Sequence, residues 1–167
     1  MSTIASVALS DLRYEAAQTR KMLERVPADR WDWKPHEKSS SLGQLASHIA
    51  RLPIWGQNMT ESDHFDFTQP GKFATMPLAT NPTEAVAHFD ANLAPVLEAI
   101  GAIDDASATA TYQLRRGDTV VYEAPRVAAI RYWLSNHLVH HRGQLSVYLR
   151  LLNVPVPGMY GPSADEK

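Results

Sequence analysis

The chain predicts an all-α fold, an up-down four-helix bundle with a short β-hairpin before its last helix. Three observations carry this. Four segments repeat apolar residues at helical spacing, and proline, asparagine or a serine–glutamine pair marks most of their ends. One stretch of alternating residues around a glycine-containing turn interrupts them. With 167 residues, 44% of them hydrophobic, the chain can bury one core and is read as a single domain over residues 1–167.

The first helix covers residues 3–26, with Ala5, Ala8, Leu9, Leu12, Ala16 and Leu23 on one face, and Pro27 stops it. Residues 28–40 read as a connection whose Trp31 and Trp33 cover the end of the core. Ser41 and Gln44 have the spacing of a capping box. Leu42, Leu45, Ile49 and Leu52 then form the stripe of a second helix, which Pro53 kinks or ends. Residues 61–80 are polar, contain Pro70, Gly71 and Pro77, and read as a long loop.

The third helix starts with Asn81 as N-cap, Pro82 at the first position and Glu84 at the third. Its stripe is Val86, Phe89, Leu93, Val96, Leu97 and Ile100, with a kink expected at Pro95. Residues 109–122 predict the hairpin, turning at Arg115-Arg116-Gly117-Asp118. The last helix spans residues 125–152. At about 100° per residue, Ile130, Leu134, His137, His141, Leu145 and Tyr148 fall within about 60° of arc, placing two imidazoles mid-stripe. Asn153 and Pro155 close it.

Charge and composition exclude several classes of function. Lys+Arg minus Asp+Glu is 16 − 18 = −2, so no basic excess serves nucleic acid or an anionic membrane surface. No apolar run is long enough to span a bilayer, and the first residues show no secretory signal, which predicts a cytoplasmic location. Cysteine is absent, which removes disulfides, thiolate metal sites and thiol nucleophiles of the chain's own.

Seven histidines remain as the main chemical signal. His137 and His141 are i and i+4, about 40° apart on the helix, the spacing of helical metal pairs as well as of ordinary core packing. His48 lies at the edge of the second helix's stripe, facing the interior or its rim. Together the three give a His₃ set with positions left open for water. His140 reads as a neighbour of the ligands or an alternative to them, and His36, His64 and His88 as loop or surface residues. Asp11 and Glu15 read either as a solvated helix face or as groups that orient a ligand imidazole or act as base. No particular residue is singled out as catalytic.

The run Asn136-His137-Leu138-Val139-His140-His141-Arg142-Gly143-Gln144-Leu145, with Asn153-Val154-Pro155 and Pro157-Gly158-Met159-Tyr160-Gly161-Pro162-Ser163 after it, resembles the C-terminal region of the DinB family. The segment Ser41-Leu42-Gly43-Gln44-Leu45-Ala46-Ser47-His48-Ile49 resembles that family's second-helix motif. The resemblance implies a four-helix bundle, commonly a homodimer, with a divalent metal on three histidines. The matching positions are His48, His137 and His141, and the candidate ions are zinc, nickel, iron and manganese. It also implies a small-molecule substrate, and a thiol transferase or isomerase using bacillithiol, mycothiol or a similar low-molecular-weight thiol. A bound ion activating water for hydrolysis, or a thiol for transfer, is therefore the leading expectation. The alternatives are a non-catalytic metal-binding stress-response bundle, and a metal-free small-ligand binder using Trp31, Trp33, Trp55 and Trp133.

Overall fold

The computed structural model describes residues 3–69 and 71–166. Met1, Ser2 and Pro70, on which parts of the N-terminal and loop expectations fall, lie outside the described residues. The fold is mostly helical but carries a three-stranded sheet, which corrects the all-α expectation. Helix α1 (Thr3–Leu23) buries Ala5, Leu12, Ala16, Met22 and Leu23. A 3₁₀ turn at Ala28–Arg30 follows.

The capping box forms as its spacing predicts. Ser41 Oγ accepts from the Gln44 N–H at 3.1 Å, and Gln44 Oε1 accepts from the Ser41 N–H at 2.8 Å. Helix α2 (Leu42–Arg51) begins there. A Cβ on Gly43 would lie 2.3 Å from the Trp31 indole, so the missing side chain is what lets Trp31 close over the start of α2. Helix α2 ends at Arg51, immediately before Leu52 and Pro53, as Pro53 predicts. Pro53 takes the first position of α3 (Pro53–Glu61), where its absent N–H costs nothing, and the chain turns helical again after Leu52.

Residues 61–80 are not one loop. They hold strand β1 (His64–Asp66) and the short helix α4 (Gly71–Thr75). Three residues are too few to show alternation, and β1 is stabilised by parallel pairing with a strand about 50 residues later in the chain. Helix α5 (Pro82–Ala102) is capped by Asn81 Oδ1, which accepts from the Glu84 N–H at 2.9 Å, and it runs on through the exposed Pro95. Helix α6 (Asp105–Thr109), capped by Asp104, is an addition to the predicted elements.

The expected hairpin is present as β2 (Thr111–Arg116) and β3 (Thr119–Pro125). Its two-residue turn, Gly117-Asp118, needs the positive φ of 59° that Gly117 adopts. The sheet order is β1-β2-β3. Arg126 ties it to the helices: its guanidinium donates to the Met59, Ser62 and Ser107 carbonyls.

The predicted last helix is three pieces: α7 (Arg126–Ile130), a π-helical turn at Arg131–Ser135, and α8 (Asn136–Leu151). The wide turn shows in the Asn136 N–H, which donates to the carbonyl of Arg131, five residues back. Uniform 100° arithmetic fails across it. The fully buried row of α8 is Leu138, Arg142, Leu145 and Leu149, while His137, His141 and Tyr148 are half-buried on the row beside it. Asn153, at φ 57°, closes α8 as a left-handed cap, and the N–H groups of Asn153 and Val154 reach the Arg150 and Leu149 carbonyls.

Helices α1, α2 and α3 pack on α5, and α1 and α2 also pack on α8, so the core lies between these faces. Among the described residues no helix is long and apolar enough to cross a membrane.

Candidate metal centre

Helices α2 and α8 bring three imidazoles together. The ring centroids of His48 and His141 are 4.4 Å apart, those of His137 and His141 4.7 Å, and those of His48 and His137 5.3 Å. Each offers a nitrogen within 4.8 Å of the other two, close enough to share one cation, and no other such group occurs among the described residues. The i, i+4 spacing aims His137 and His141 at one point, and α2 delivers His48 from the opposite side.

All three rings are held in the form that can ligate. Burial pushes His48 down to about 4, helped by His141, His137 and the nearby Arg51 cation. Burial and the His141 ring likewise lower His137 to about 4. The Trp133 backbone opposes that shift in part, yet no group meets hydrogen-bond geometry at the buried His137 Nδ1. His141 is lowered chiefly by burial, with Gln144 opposing. Metal ligation needs neutral imidazole, so these depressed values favour it.

Gln144, one turn further along α8, orients the third ring. Its Oε1 lies 2.7 Å from His141 Nδ1, and a carbonyl oxygen can only accept, so Nδ1 carries the proton and Nε2 keeps its lone pair. Its Nε2 donates to His140 at 3.1 Å, which leaves His140 an exposed neighbour of the triad, 4.8 Å ring to ring from His141. The sequence carries this signal: Gln144 lies at i+3 from His141.

The acidic candidates serve elsewhere. Asp11 lies 3.7 Å from Arg131, and Glu15 pairs at 2.6 Å with Arg142, whose side chain is 3% exposed. Arg142 also donates to the Glu15 carbonyl and to the Tyr160 hydroxyl, so this network fastens the C-terminal tail to α1. Glu15 is therefore neither a solvated side chain nor a group that orients an imidazole. His36 accepts from the Lys38 N–H, His64 contacts Asp63 from β1, and His88 lies 3.6 Å from Glu84 on α5.

Two surfaces flank the triad. On one side a hollow of about 270 Å³ is lined by His48, His141, Gln144, Ser39, Ser40 and Tyr148. On the other stands an aromatic wall. Trp55 is 6.4 Å from both His137 and Trp133, 5.0 Å from Phe65 and 5.6 Å from Phe73, and Phe73 lies 6.2 Å from His48. The sheet supports this wall, since β1 contributes Phe65 and β3 contributes Tyr122 against Trp133. Arg51, Phe73 and Gln144 are site residues that sequence reasoning passed over. Of the four tryptophans proposed as a ligand cavity, Trp55 and Trp133 belong to this wall. Trp33 packs on Tyr148 near the hollow, and Trp31 on Gly43.

The residues fit a divalent ion: three neutral nitrogen donors from two helices, all within 4.8 Å of one another, beside an open hollow.

The DinB family model matches residues 1–167. The uncharacterized protein YrdA of Bacillus subtilis (strain 168) is 24% identical over 159 residues, covering 95% of this chain and 89% of that protein. Among solved structures, a DinB-like protein from Bacillus cereus superposes with a TM-score of 0.69 at 24% identity, over 92% of this chain and 95% of that one. The DinB-like protein YjoA from Bacillus subtilis superposes with a TM-score of 0.66 at 15% identity, over 96% and 97%. At these identities the structures bear on fold alone, and the full-length family match carries the assignment. This chain belongs to the DinB family.

Proposed function

We propose that this DinB-family protein is a metal-dependent enzyme. His48, His137 and His141 hold one divalent ion, zinc, nickel, iron or manganese, and a small molecule entering the hollow beside them is hydrolysed or joined to a low-molecular-weight thiol. The observation that carries the reading is the convergence of three neutral imidazoles from two helices beside an open hollow. When bound, such an ion supplies Lewis acidity, lowering the pKa of coordinated water or thiol.

The chain's own residues set the conditions. Three imidazoles add no charge, so the cation's field is not neutralised by its ligands. Gln144 holds His141 in the ligating tautomer, and the Trp55–Phe73 wall keeps water from one side. The Tyr148 hydroxyl donates to the Ser40 carbonyl at 3.2 Å and shapes the mouth of the hollow. With no cysteine in the sequence, any thiol must come from a cosubstrate.

We read the architecture as one domain in which α1, α2–α3, α5 and α7–α8 are the members of an up-down bundle. The assembly proposed is a cytoplasmic homodimer, with the exposed Val147 and Leu151 of α8 available to a second copy. Sedimentation of untagged protein tests that assembly.

The function is tested by elemental analysis of untagged protein, then by a screen of ester, amide and epoxide electrophiles with and without bacillithiol, mycothiol or glutathione. One ion per chain and turnover lost in His137→Ala are expected. Bound metal without turnover in every assay would leave the non-catalytic metal-binding bundle. Absence of metal from replete protein would reject both.

A further inference from the structure

Six buried side-chain polar atoms have no hydrogen-bond partner of ordinary geometry among the described residues, and five belong to one patch: Arg51 Nε, Trp55 Nε1, Trp133 Nε1, Tyr122 Oη and His137 Nδ1. Tyr122, Trp133, Trp55 and His137 follow one another in ring contact, and Arg51 joins them through Phe73. Tyr122 and Trp133 pack edge to face, ring centroids 5.6 Å apart, and the Trp133 N–H acts on the Tyr122 hydroxyl as a hydrogen-bond donor, so these two polar atoms face one another. More than nine in ten buried polar groups are normally satisfied, so Arg51 Nε and Trp55 Nε1, for which no interaction of this kind is found, mark the part of the patch that a ligand would complete.

Arg51 is the charged member. It stands one turn after His48 on α2, close enough to depress that imidazole, and its guanidinium lies 4.5 Å from the Phe73 ring centroid. Among the described residues no carboxylate lies within ion-pair range of it. A partly desolvated arginine that gains only a ring face is costly unless an anion completes it. Phe73, whose ring Arg51 faces, also lines with Trp55 a hollow of about 150 Å³ that carries the polar Gln57, Asn58 and Glu61 in the rest of its lining.

We infer that Arg51 is the specificity-determining residue of this centre: it binds the carboxylate of a small planar, apolar acid whose body lies along Phe73 and Trp55, beside the three imidazoles. This rests on the metal-enzyme reading for its consequence, because it names the substrate class, but the binding step itself needs no metal.

The test uses full-length protein, metal-free and zinc-loaded, titrated with benzoate or with neutral benzamide and followed by tryptophan fluorescence and calorimetry. Benzoate is expected to bind saturably, about tenfold or more tighter than benzamide, as a charge-assisted contact requires. Arg51→Gln should weaken benzoate about tenfold or more and leave benzamide unchanged, while Arg51→Lys should recover part of the loss. An unchanged melting temperature and zinc content in Arg51→Gln show that the variant folds. Equal binding of the two probes, no effect of Arg51→Gln, or no binding of either up to about 20 mM would overturn the assignment. Arg51-dependent benzoate binding by protein that takes up no zinc would sustain it and sink the metal reading instead.

Discussion

Acidification of the metal-free protein should destabilise it over a window set by two imidazoles. His48 and His137 are held at about 4 in the folded chain, against an ordinary value of 6.5. As the pH falls, the unfolded chain takes up protons first. Stability is thus unaffected above about 6.5, declines between about 6.5 and 4, and stops declining from this source once the folded rings protonate too. Each imidazole contributes a slope of at most about 1.4 kcal/mol per pH unit. Both rings are partly open to water, so the pair together is expected to give about 1–2 kcal/mol per unit. Urea denaturation from about pH 7.5 to about pH 4.5 reads this directly. Carboxylates titrate near the lower end, so the double variant His48→Gln/His137→Gln supplies the baseline. The expected result is a wild-type stability that falls more steeply than the variant's between about pH 6.5 and 5. Parallel curves would refute the claim that these rings are held neutral by the fold. Zinc in excess should raise the wild-type curve at neutral pH and lose that effect as the rings protonate.

Other outcomes separate the site from its scaffold. Gln144→Leu should weaken zinc by about 10–100-fold in chelator competition, with little change in melting temperature, because Gln144 is exposed and acts through His141. Glu15→Ala should cost about 3 kcal/mol in urea denaturation while zinc stoichiometry stays at one, because it strands the buried Arg142. Gly43→Ala should cost about 1–3 kcal/mol and alter tryptophan fluorescence, because its Cβ forces Trp31 off α2.

Local signals in the chain were legible where one residue acts on its near neighbours. Ser41 with Gln44, Asn81 with Glu84, and Gly117 in its turn each appear in the structure as their spacing predicts. The histidine triad was legible for the same reason, since His137 and His141 share one helix and His48 needed only to face inward. What stayed hidden depends on distant partners. Strand β1 exists through β2, and the Glu15–Arg142 pair joins residues 127 positions apart. Arg51 sits one turn from His48, but nothing local distinguishes it from a solvated arginine. Its meaning comes from Phe73, which α4 brings over it.

The π turn is the instructive failure, because its trace is in the sequence. Ile130, Leu134 and Leu138 are all fully buried, two successive steps of four residues, whereas Leu138, Arg142, Leu145 and Leu149 return to the ordinary 4-3-4 pattern. In an α-helix each step of four drifts about 40° around the axis. A turn closed by a hydrogen bond five residues back makes four residues come nearer to a full circle, which cancels the drift. The same correction applies to the step from Trp133 to His137, so both rings meet Trp55, and His141, one ordinary turn later, joins His137 against His48. A uniform helix would have to choose between keeping Ile130 and Leu134 in the core and keeping Trp133 beside the imidazoles. The wide turn, placed immediately before His137, lets α8 do both, and it ties the aromatic wall to the metal ligands within a single continuous segment.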